Sequence, residues 1–520
     1  MSPTVAPDKA KNGLFRVVFS RIGMIAVMMV AQVAIIAFTG YYLREYLPFV
    51  YGAIIVLEVF VVIYLINSRG NPAFKLTWVL MILVFPVIGV LFYLIIKIQP
   101  DTYAARNKLA EKHLETKQYR EQDELTLQAL SSSKSANTLL SRYLHTSVGY
   151  PTYRNTRMKY FPSGEDKFEE MIIQLNKAKK YIFLEYFIIE EGYMWDTILN
   201  VLKKKVEQGV EVRLMYDGMG CLTTLPWKYP KQMEEVGIKC KVVSSLKPFL
   251  STIQNNRDHR KILVIDGKIG FTGGINLADE YINRRKRFGY WKDTAIMLEG
   301  EAVQSLTLMF LEMWGTTERD AENYKPYLSK KLNGFKREYG YMIPYADSPF
   351  DDENVGEEVY FHILNHAKKY VHIMTPYLIL DNEMITTLTR AAKGGVEIVI
   401  IMPSIPDKWY AYALAKTYYR ELIEAGVQIY EFNPGFVHAK VFVSDDDTAT
   451  VGTINLDYRS LYLHFECGVF IYNNSEIASI EDDFQNTLKK CHKVSIIEVK
   501  KRSLFYIIAG KTLRIFAPLM

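Results

Sequence analysis

Residues 258–266, with the sequence DHRKILVID, decide the fold, because their pattern returns 179 residues later as VHAKVFVSD at residues 437–445. Both stretches have the form His-x-Lys-x4-Asp, and a glycine and an asparagine follow each at identical offsets. The repeated residues are His259, Lys261, Asp266, Gly273 and Asn276 in the first copy and His438, Lys440, Asp445, Gly452 and Asn455 in the second. A repeat with constant spacing indicates an internal duplication of the chain.

The residues around each copy alternate between apolar strands and amphipathic helices. Tyr181–Ile189 is typical of a strand, Met194–Glu207 of a helix and Glu211–Tyr216 of the next strand. We therefore predict an α/β protein with two pseudo-symmetric halves, each a mixed sheet flanked by helices.

Each motif places a histidine and a lysine two residues apart on a predicted strand, so that both side chains point to one face. A lysine supplies positive charge for phosphate oxygens, and a histidine can act as nucleophile, acid or base near neutral pH. His259 with Lys261 supplies half of a site, and His438 with Lys440 supplies the other half. One imidazole can then attack phosphorus while the other protonates the leaving alcohol, which indicates phosphodiester chemistry with no metal and no cofactor.

Two residue types that follow each motif complete the predicted phosphate site. Gly273 and Gly452 lie just past the next predicted strand, where a small residue lets backbone approach a phosphate. Asn276 and Asn455 follow three residues later, and an amide there can donate a hydrogen bond to phosphate. We predict that all four line the phosphate.

A reactive imidazole needs its other nitrogen held, usually by a carboxylate. Glu466 interrupts an apolar strand and is the candidate partner of His438, and Asp293 is the candidate partner of His259. The 179-residue offset puts Arg287 opposite Glu466, so we expect this acid to have no symmetric counterpart.

Three other residues near the motifs have weaker signals. Asp266 and Asp445 belong to the catalytic motif, but their place at predicted strand ends favours a structural role. His464 lies two residues before Glu466 and shares its strand face, so either packing or contact with substrate fits it.

The first hundred residues contain three apolar stretches, Ile22–Phe38, Phe49–Ile66 and Leu76–Ile98, separated by short polar breaks. They predict an N-terminal α-helical membrane anchor, residues 1–100, with two or three transmembrane segments. We predict a linker helix and hinge over residues 101–150, a first half over 151–335 and a second half over 336–520. The apolar C-terminal tail either lies on the membrane surface or packs against the catalytic part.

Composition narrows the class of partner. A net charge of +6 over 520 residues suits an anionic membrane surface but falls short of the footprint of a nucleic-acid-binding protein. The four cysteines contain no CxxC pair, which argues against a thiolate zinc site and a disulfide framework. We expect lipid partners and no nucleic acid, and the oligomeric state stays open.

The paired motifs, together with residues 273–276 and 452–455, resemble the phospholipase D superfamily, and the resemblance covers residues 150–500. Four stretches resemble bacterial cardiolipin synthases: Phe85–Gly89, Thr375–Tyr377, Gly435–Lys440 and Gly452–Ser460. The resemblance implies that one phosphatidylglycerol gives its phosphatidyl group to an enzyme histidine and that a second takes it up, forming cardiolipin and glycerol. It implies no metal or cofactor, and a multi-pass membrane enzyme whose catalytic halves face the cytosol.

The same resemblance implies roles for the motif residues. One of His259 and His438 forms a phosphohistidine, with His259 favoured, and the other serves as acid and then base. The motif lysines and both asparagines hold phosphate. A membrane phospholipase D, or transfer to another headgroup alcohol, would use the same residues. A non-catalytic lipid-binding scaffold is the alternative from a different class.

Overall fold

In the computed structural model of this chain, the described residues are 45–97, 100–132, 135–244, 255–318, 322–328, 340–501 and 504–519, with scattered residues between 30 and 42. They fall into two compact units that divide after Gln99.

The N-terminal unit contains three described helices: α1 (Leu47–Asn67), α2 (Pro72–Val84) and α3 (Pro86–Lys97). Prolines begin α2 and α3, and the Asn71 side chain caps α2 by accepting from the Ala73 amide at 2.9 Å. Four side chains form its small core: Leu65, Ile82, Val90 and Tyr93. Many other apolar side chains of these helices are exposed, such as Phe49, Ile55, Phe60 and Leu76.

The predicted membrane-crossing segments are not borne out by the described helices. None of these is both long and apolar enough to cross a bilayer. Pro86 divides the predicted stretch Leu76–Ile98 into helices of 13 and 12 residues, whereas a crossing takes about 20. The first predicted stretch, Ile22–Phe38, lies almost entirely outside the described residues.

The larger unit begins with α4 (Pro100–Lys117), α5 (Glu124–Ser132), α6 (Asn137–Tyr143) and a π-helical turn (Leu144–Val148). The first half then contains β1 (Thr156–Phe161), α7 (Gly164–Lys177), β2 (Tyr181–Tyr186), α8 (Tyr193–Glu207), β3 (Glu211–Asp217), α9 (Tyr229–Glu235), β4 (Lys239–Val243), β5 (Lys261–Ile265), β6 (Ile269–Gly273), β7 (Tyr290–Lys292), β8 (Ala295–Gly300) and α10 (Val303–Gly315).

The second half contains β9 (Tyr341–Asp347), α11 (Val355–His366), β10 (Tyr370–Met374), α12 (Asn382–Lys393), β11 (Glu397–Pro403), α13 (Trp409–Glu424), β12 (Gln428–Phe432), β13 (Gly435–Val437), β14 (Val441–Ser444), β15 (Thr448–Gly452), α14 (Tyr458–Tyr462), β16 (Glu466–Tyr472), α15 (Glu476–Leu488), β17 (Cys491–Lys493), α16 (Ile496–Lys500) and α17 (Leu504–Phe516).

The two sheets have the same strand order, which is the structural trace of the duplication. The first runs β1-β8-β6-β5-β2-β3-β4, and the second runs β9-β16-β15-β14-β10-β11-β12 with β17 added at the end. Each sheet mixes parallel pairs, such as β2 with β3, and antiparallel pairs, such as β5 with β6. The prediction of an α/β protein with two mixed, helix-flanked sheets is confirmed.

The predicted linker helices and C-terminal tail both pack against the halves. On α4 and just after it, Thr116 and Arg120 donate to the buried carboxylate of Glu312 on α10. Helix α17 packs on α13, where Arg514 lies over the ring of Tyr418 at 4.3 Å from its centroid. The C-terminal tail therefore follows the packing alternative, although Leu504 on this helix is exposed.

Candidate active site

The two motif histidines lie at the junction of the halves, and backbone of the other half holds each of them. The His259 amide donates to the carbonyl of Phe465 at 2.9 Å, and the His438 amide donates to that of Lys292 at 2.7 Å. Asp258 forms a parallel bridge with Phe465, and β13 pairs in parallel with β7. The halves therefore exchange short extended segments, and both histidines are buried.

Each histidine ring is held by the acid of the other half. The Nδ1 atom of His259 lies 2.9 Å and 3.0 Å from the two carboxylate oxygens of Glu466. The Nδ1 atom of His438 lies 2.6 Å from Oδ2 of Asp293. An ionised carboxylate only accepts hydrogen bonds, so Nδ1 carries the proton in both rings and Nε2 is left to react.

The expected pairing of acids and histidines within each half is therefore wrong. The parallel pairing at the junction places the residue after Asp258 beside the residue after Phe465. Those two residues are His259 and Glu466, and β13 with β7 repeats the arrangement around His438.

The two acids are structural counterparts, contrary to the expectation that Glu466 has none. The Gly274 amide donates to the carbonyl of Thr294 at 3.0 Å, and the equivalent Thr453 amide donates to that of Cys467 at 2.8 Å. The residue before each of these carbonyls is the acid, so both acids occupy the same place in their halves.

A difference in loop length hides this correspondence in the sequence. Asp293 follows Asn276 by 17 positions, whereas Glu466 follows Asn455 by 11. The constant offset therefore fails after the asparagines and points to Arg287, whose side chain is 57% exposed.

Both acids are fully buried and further hydrogen-bonded. The Thr294 amide donates to Asp293 at 2.8 Å, and the Thr453 hydroxyl donates to Glu466. Burial favours a raised pKa for Asp293, but the charge and hydrogen bond of His438 outweigh it and the pKa is lowered. Asp293 is therefore an anion at neutral pH.

The motif lysines contact the backbone of the motif histidines and are almost fully buried. The ammonium group of Lys261 donates to the carbonyl of His259, and that of Lys440 donates to the carbonyl of His438. Burial lowers the pKa of Lys261 to about 8 and that of Lys440 to about 7. Burying their positive charge costs free energy, and a bound anion would offset that cost.

Burial also lowers the pKa values of the two motif histidines. It lowers the pKa of His259 well below its usual value, and the charge of Lys261 adds to this effect. Burial and then Lys440 lower the pKa of His438 to about 4, although Asp293 opposes them. Both rings are therefore neutral at neutral pH, the form in which a ring nitrogen can act as a nucleophile.

The motif aspartates lie at the far ends of their strands. Asp266 accepts hydrogen bonds from the three amides of residues 179–181, and Asp445 accepts from those of residues 368–370. Both residues have positive φ, +54° and +53°. These contacts support the structural role expected for them.

The two motif glycines face neighbouring strands. A Cβ on Gly273, whose φ is +141°, would lie 2.5 Å from the Cα of Ala295. A Cβ on Gly452 would lie 2.4 Å from the carbonyl oxygen of Cys467. Both glycines thus let the acid-bearing strand approach, and their contact with phosphate remains a prediction.

The two motif asparagines differ. The carbonyl oxygen of Asn276 accepts from the Ile188 amide at 3.0 Å, and its amide group donates to the Tyr281 hydroxyl at 2.7 Å. Asn455 is buried, and its side-chain oxygen has no hydrogen-bond partner in the described part of the chain. Asn455 is therefore the freer of the two to meet a ligand.

Sequence reasoning missed the rings that surround the histidines, because they come from distant segments. The neighbours, with ring-centroid distances, are Phe187 (4.9 Å) and His464 (5.7 Å) for His259, and Trp291 (5.3 Å), Tyr281 (5.6 Å) and Phe436 (5.8 Å) for His438. These rings keep the histidines apart from bulk water.

Sequence reasoning also missed a buried ion cluster next to His259. Arg260 lies 2.5 Å from Glu185 and 3.0 Å from Asp258. The signal in the sequence is Arg260 beside an apolar strand, because a buried arginine needs a buried acid as its partner. That partner, Glu185 on β2, is 75 positions away in the sequence.

Among the described residues, one group has the donor set for a metal ion. Ligand atoms of His259, His464 and Glu466 lie within 4.8 Å of one another. Glu466 is already hydrogen-bonded to Nδ1 of His259, so a metal ion would compete with the proton of that hydrogen bond.

Two buried histidine and lysine pairs on a duplicated α/β scaffold define a phosphodiester-processing site of the phospholipase D type. Residues 171–314 and 360–488 match the family described as "Cardiolipin synthase, PLD-like domain", and residues 56–97 match "Phospholipase_D-nuclease N-terminal". The chain belongs to the cardiolipin synthase family of phospholipase D-like proteins and is an enzyme of the phosphatidyltransferase class.

One of three individual matches carries a name that agrees with this assignment. The chain is 32% identical over 471 residues to a cardiolipin synthase of Alkalihalophilus pseudofirmus, covering 89% of this chain and 92% of that one. It is 54% identical over 460 residues to an uncharacterised protein of Streptococcus mutans, covering 88% and 99%. The crystal structure of a phosphatidylserine synthase from Haemophilus influenzae has a TM-score of 0.54 at 15% identity, covering 70% of this chain and 93% of that one, and shows the fold alone.

Proposed function

We propose that this enzyme is a cardiolipin synthase that transfers the phosphatidyl group of one phosphatidylglycerol to a second through a phosphohistidine. The observation that carries the proposal is the crossed pairing of His259 with Glu466 and His438 with Asp293. It fixes two imidazoles in one junction with both Nε2 atoms available, which is what a two-step displacement at phosphorus requires. The similarity to cardiolipin synthases supports the choice of substrate.

In the first step, Nε2 of His259 attacks the phosphorus of phosphatidylglycerol. The bond from phosphorus to the headgroup oxygen breaks, and protonated His438 gives its proton to that oxygen, releasing glycerol. In the second step, His438 takes the proton of a hydroxyl group on another phosphatidylglycerol. The freed oxygen attacks phosphorus and releases His259, so two phosphatidylglycerols give one cardiolipin and one glycerol.

The protonation states that these steps need follow from the charges of the site. Burial keeps both histidines neutral before substrate arrives. An anionic phosphate brought between them favours the charged forms of Lys261, Lys440 and one imidazole, because opposite charges attract strongly at low dielectric. His438, which Asp293 already favours as a cation, is the imidazole that takes up the proton.

Membrane attachment by the N-terminal unit is part of the same proposal. Exposed apolar side chains on α1 and α2, such as Phe60 and Leu76, support contact with lipid. An enzyme held at a bilayer meets lipid alcohols at high local concentration, which favours transfer over hydrolysis. The catalytic halves face the cytosol in this arrangement, as the family resemblance implies.

Purified full-length enzyme with phosphatidylglycerol vesicles tests the proposal. We expect cardiolipin and glycerol in equal amounts, measured by mass spectrometry of the lipids and enzymatic assay of glycerol. Phosphatidic acid without cardiolipin would identify a hydrolase instead. Added serine or ethanolamine should leave the product unchanged, and a new headgroup in the product would identify a different acceptor.

A further inference from the structure

The segments that the halves exchange place side chains on one face in a fixed register. Phe465 accepts from the His259 amide and donates to the carbonyl of Arg257 at 2.8 Å, so Asp258 is its direct neighbour. Residues on either side of such a pair point to the opposite face. Arg257 therefore lies beside His464, on the face that carries His259 and Glu466.

The same register at the other histidine brings together different chemistry. Phe436 pairs with Trp291, and their rings lie 4.9 Å apart. Phe436 and Trp291 are therefore the structural equivalents of Arg257 and His464. One side of the junction is thus lined by an aromatic pair with a single donor, the Trp291 Nε1, and the other side by a guanidinium group and an imidazole.

The polar pair has hydrogen-bonding capacity that the described residues do not use. His464 is 8% exposed, and neither of its ring nitrogens has a hydrogen-bond partner among the described residues, since its Nδ1 atom lies 3.8 Å from Oε1 of Glu466. The Nη1 atom of Arg257 is also buried without a partner. Leaving such groups unpaired costs free energy, which a ligand with acceptor oxygens would recover.

A second guanidinium group strengthens the case for an anion. The backbone carbonyl of Arg459 accepts from the His464 amide at 2.9 Å, so Arg459 lies next to His464. Burial lowers the pKa of Arg257 to about 10 against the opposing charge of Asp217, and the charge of Arg459 adds to the lowering. Burial also lowers the pKa of Arg459, which the charge of Asp457 opposes. Among the described residues, no carboxylate lies within ion-pair distance of either guanidinium group.

We propose that Arg257, Arg459 and His464 bind the phosphate group of the acceptor phospholipid. The ammonium groups of Lys261 and Lys440 contact the backbone carbonyls of the two histidines, and the proposed function assigns these lysines to the reacting phosphate. Arg257, Arg459 and His464 are then left for a second anion. Two residues along a strand span about 7 Å, which suits the three-carbon glycerol bridge that separates the two phosphates of cardiolipin. The proposal rests on the proposed function and explains how an anionic lipid, rather than water, becomes the acceptor.

The test compares two reactions of the full-length enzyme on phosphatidylglycerol vesicles. Cardiolipin formation needs an acceptor that carries its own phosphate. Exchange of labelled glycerol into phosphatidylglycerol uses the same catalytic groups with a neutral acceptor. We expect Arg257→Gln to slow cardiolipin formation by about tenfold to a hundredfold, the range for a lost charged hydrogen bond, and glycerol exchange by no more than about twofold.

Two further variants and a control sharpen the comparison. Arg257→Lys should regain part of the cardiolipin rate because it keeps the charge, and His464→Phe should lose less than Arg257→Gln because it removes only neutral groups. Arg287→Gln, which alters an exposed arginine, should change neither reaction.

The outcomes separate this proposal from the proposed function. If the wild type exchanges glycerol but forms no cardiolipin, both proposals fail. If the wild type forms cardiolipin and Arg257→Gln and Arg257→Lys slow both reactions equally, or neither, the acceptor-phosphate site is wrong and the proposed function stands.

Discussion

The His259 side and the His438 side of the site share one scaffold and differ in what lines it. Both histidines are hydrogen-bonded to a buried acid from the other half, and the backbone carbonyl of each accepts from a buried lysine. The acid is Glu466 on one side and the shorter Asp293 on the other. Duplication thus preserved the motif histidines and lysines, while the residues around them diverged.

The largest expected effect comes from removing either reactive ring. His259→Ala and His438→Ala should each lower the rate of cardiolipin formation by about 10⁴-fold or more, because each displacement needs both groups. His366→Ala, an exposed histidine on α11, is the control and should keep the full rate. Full activity in either site variant would rule out the proposed chemistry.

Crossed pairing predicts which residues are energetically coupled. Double-mutant cycles on the free energy of unfolding should give about 0.5–3 kcal/mol between His259 and Glu466, the range for residues in one hydrogen-bond network. The cycle between His438 and Glu466 should give a value near zero. Chemical denaturation of the Ala and Gln variants measures both, and the reverse result would favour pairing within each half.

One equivalent position should respond differently in the two halves. A Cβ on Gly274 would lie 2.0 Å from Oδ1 of Asp293, whereas the equivalent Thr453 supports Glu466 with its hydroxyl. We expect Gly274→Ala to cost about a hundredfold in kcat by displacing the acid, and Thr453→Ala about tenfold. Similar losses in the two variants would mean that the halves are more alike than this contrast implies.

The lysines predict the pH dependence. Because burial lowers the pKa of Lys440 to about 7 and that of Lys261 to about 8, the free enzyme loses their positive charges as pH rises through this range. We expect kcat/KM to fall severalfold between about pH 7 and pH 9, since it reports the free enzyme. Lys440→Arg, which stays charged, should move the alkaline limb upward, and an unmoved limb would assign it to another group.

Stability should follow pH with a definite sign. The folded pKa of His438, about 4, lies below the ordinary value for an unfolded chain, about 6.5. Between these values the unfolded chain binds more protons, so the free energy of unfolding should decrease as pH falls from about 6.5 to 4. His438→Gln should weaken this dependence in denaturation curves measured across that range.

The sequence was sufficient to predict the duplication and the mixed sheets, and the reactive residues that it indicates stay a prediction. The motif spacing also indicated which side chains share a strand face. The sequence also pointed to Asp293 and Glu466 as acids. It could not reveal that each acid pairs with the histidine of the other half, because that depends on pairing between residues 207 and 145 positions apart. The unequal loops after Asn276 and Asn455 then made Arg287 look like the counterpart of an acid.

Other contributions to the site had no local signal. His464 and Arg257 became neighbours only through the bridge between Asp258 and Phe465. The apolar runs near the N-terminus predicted membrane crossings, but Pro86 ends one helix where a continuous span was expected. The periodicity of a segment predicts its secondary structure but not which other segments it contacts.

Trapping the covalent intermediate is the decisive experiment. Enzyme mixed with phosphatidylglycerol labelled at phosphorus and quenched within one turnover, then digested at neutral or alkaline pH where phosphohistidine survives, should carry the label on His259. The label should be absent from His259→Ala and should not move to His438. Label on His438 would reverse the two roles, and cardiolipin formation without any labelled histidine would contradict the phosphohistidine pathway.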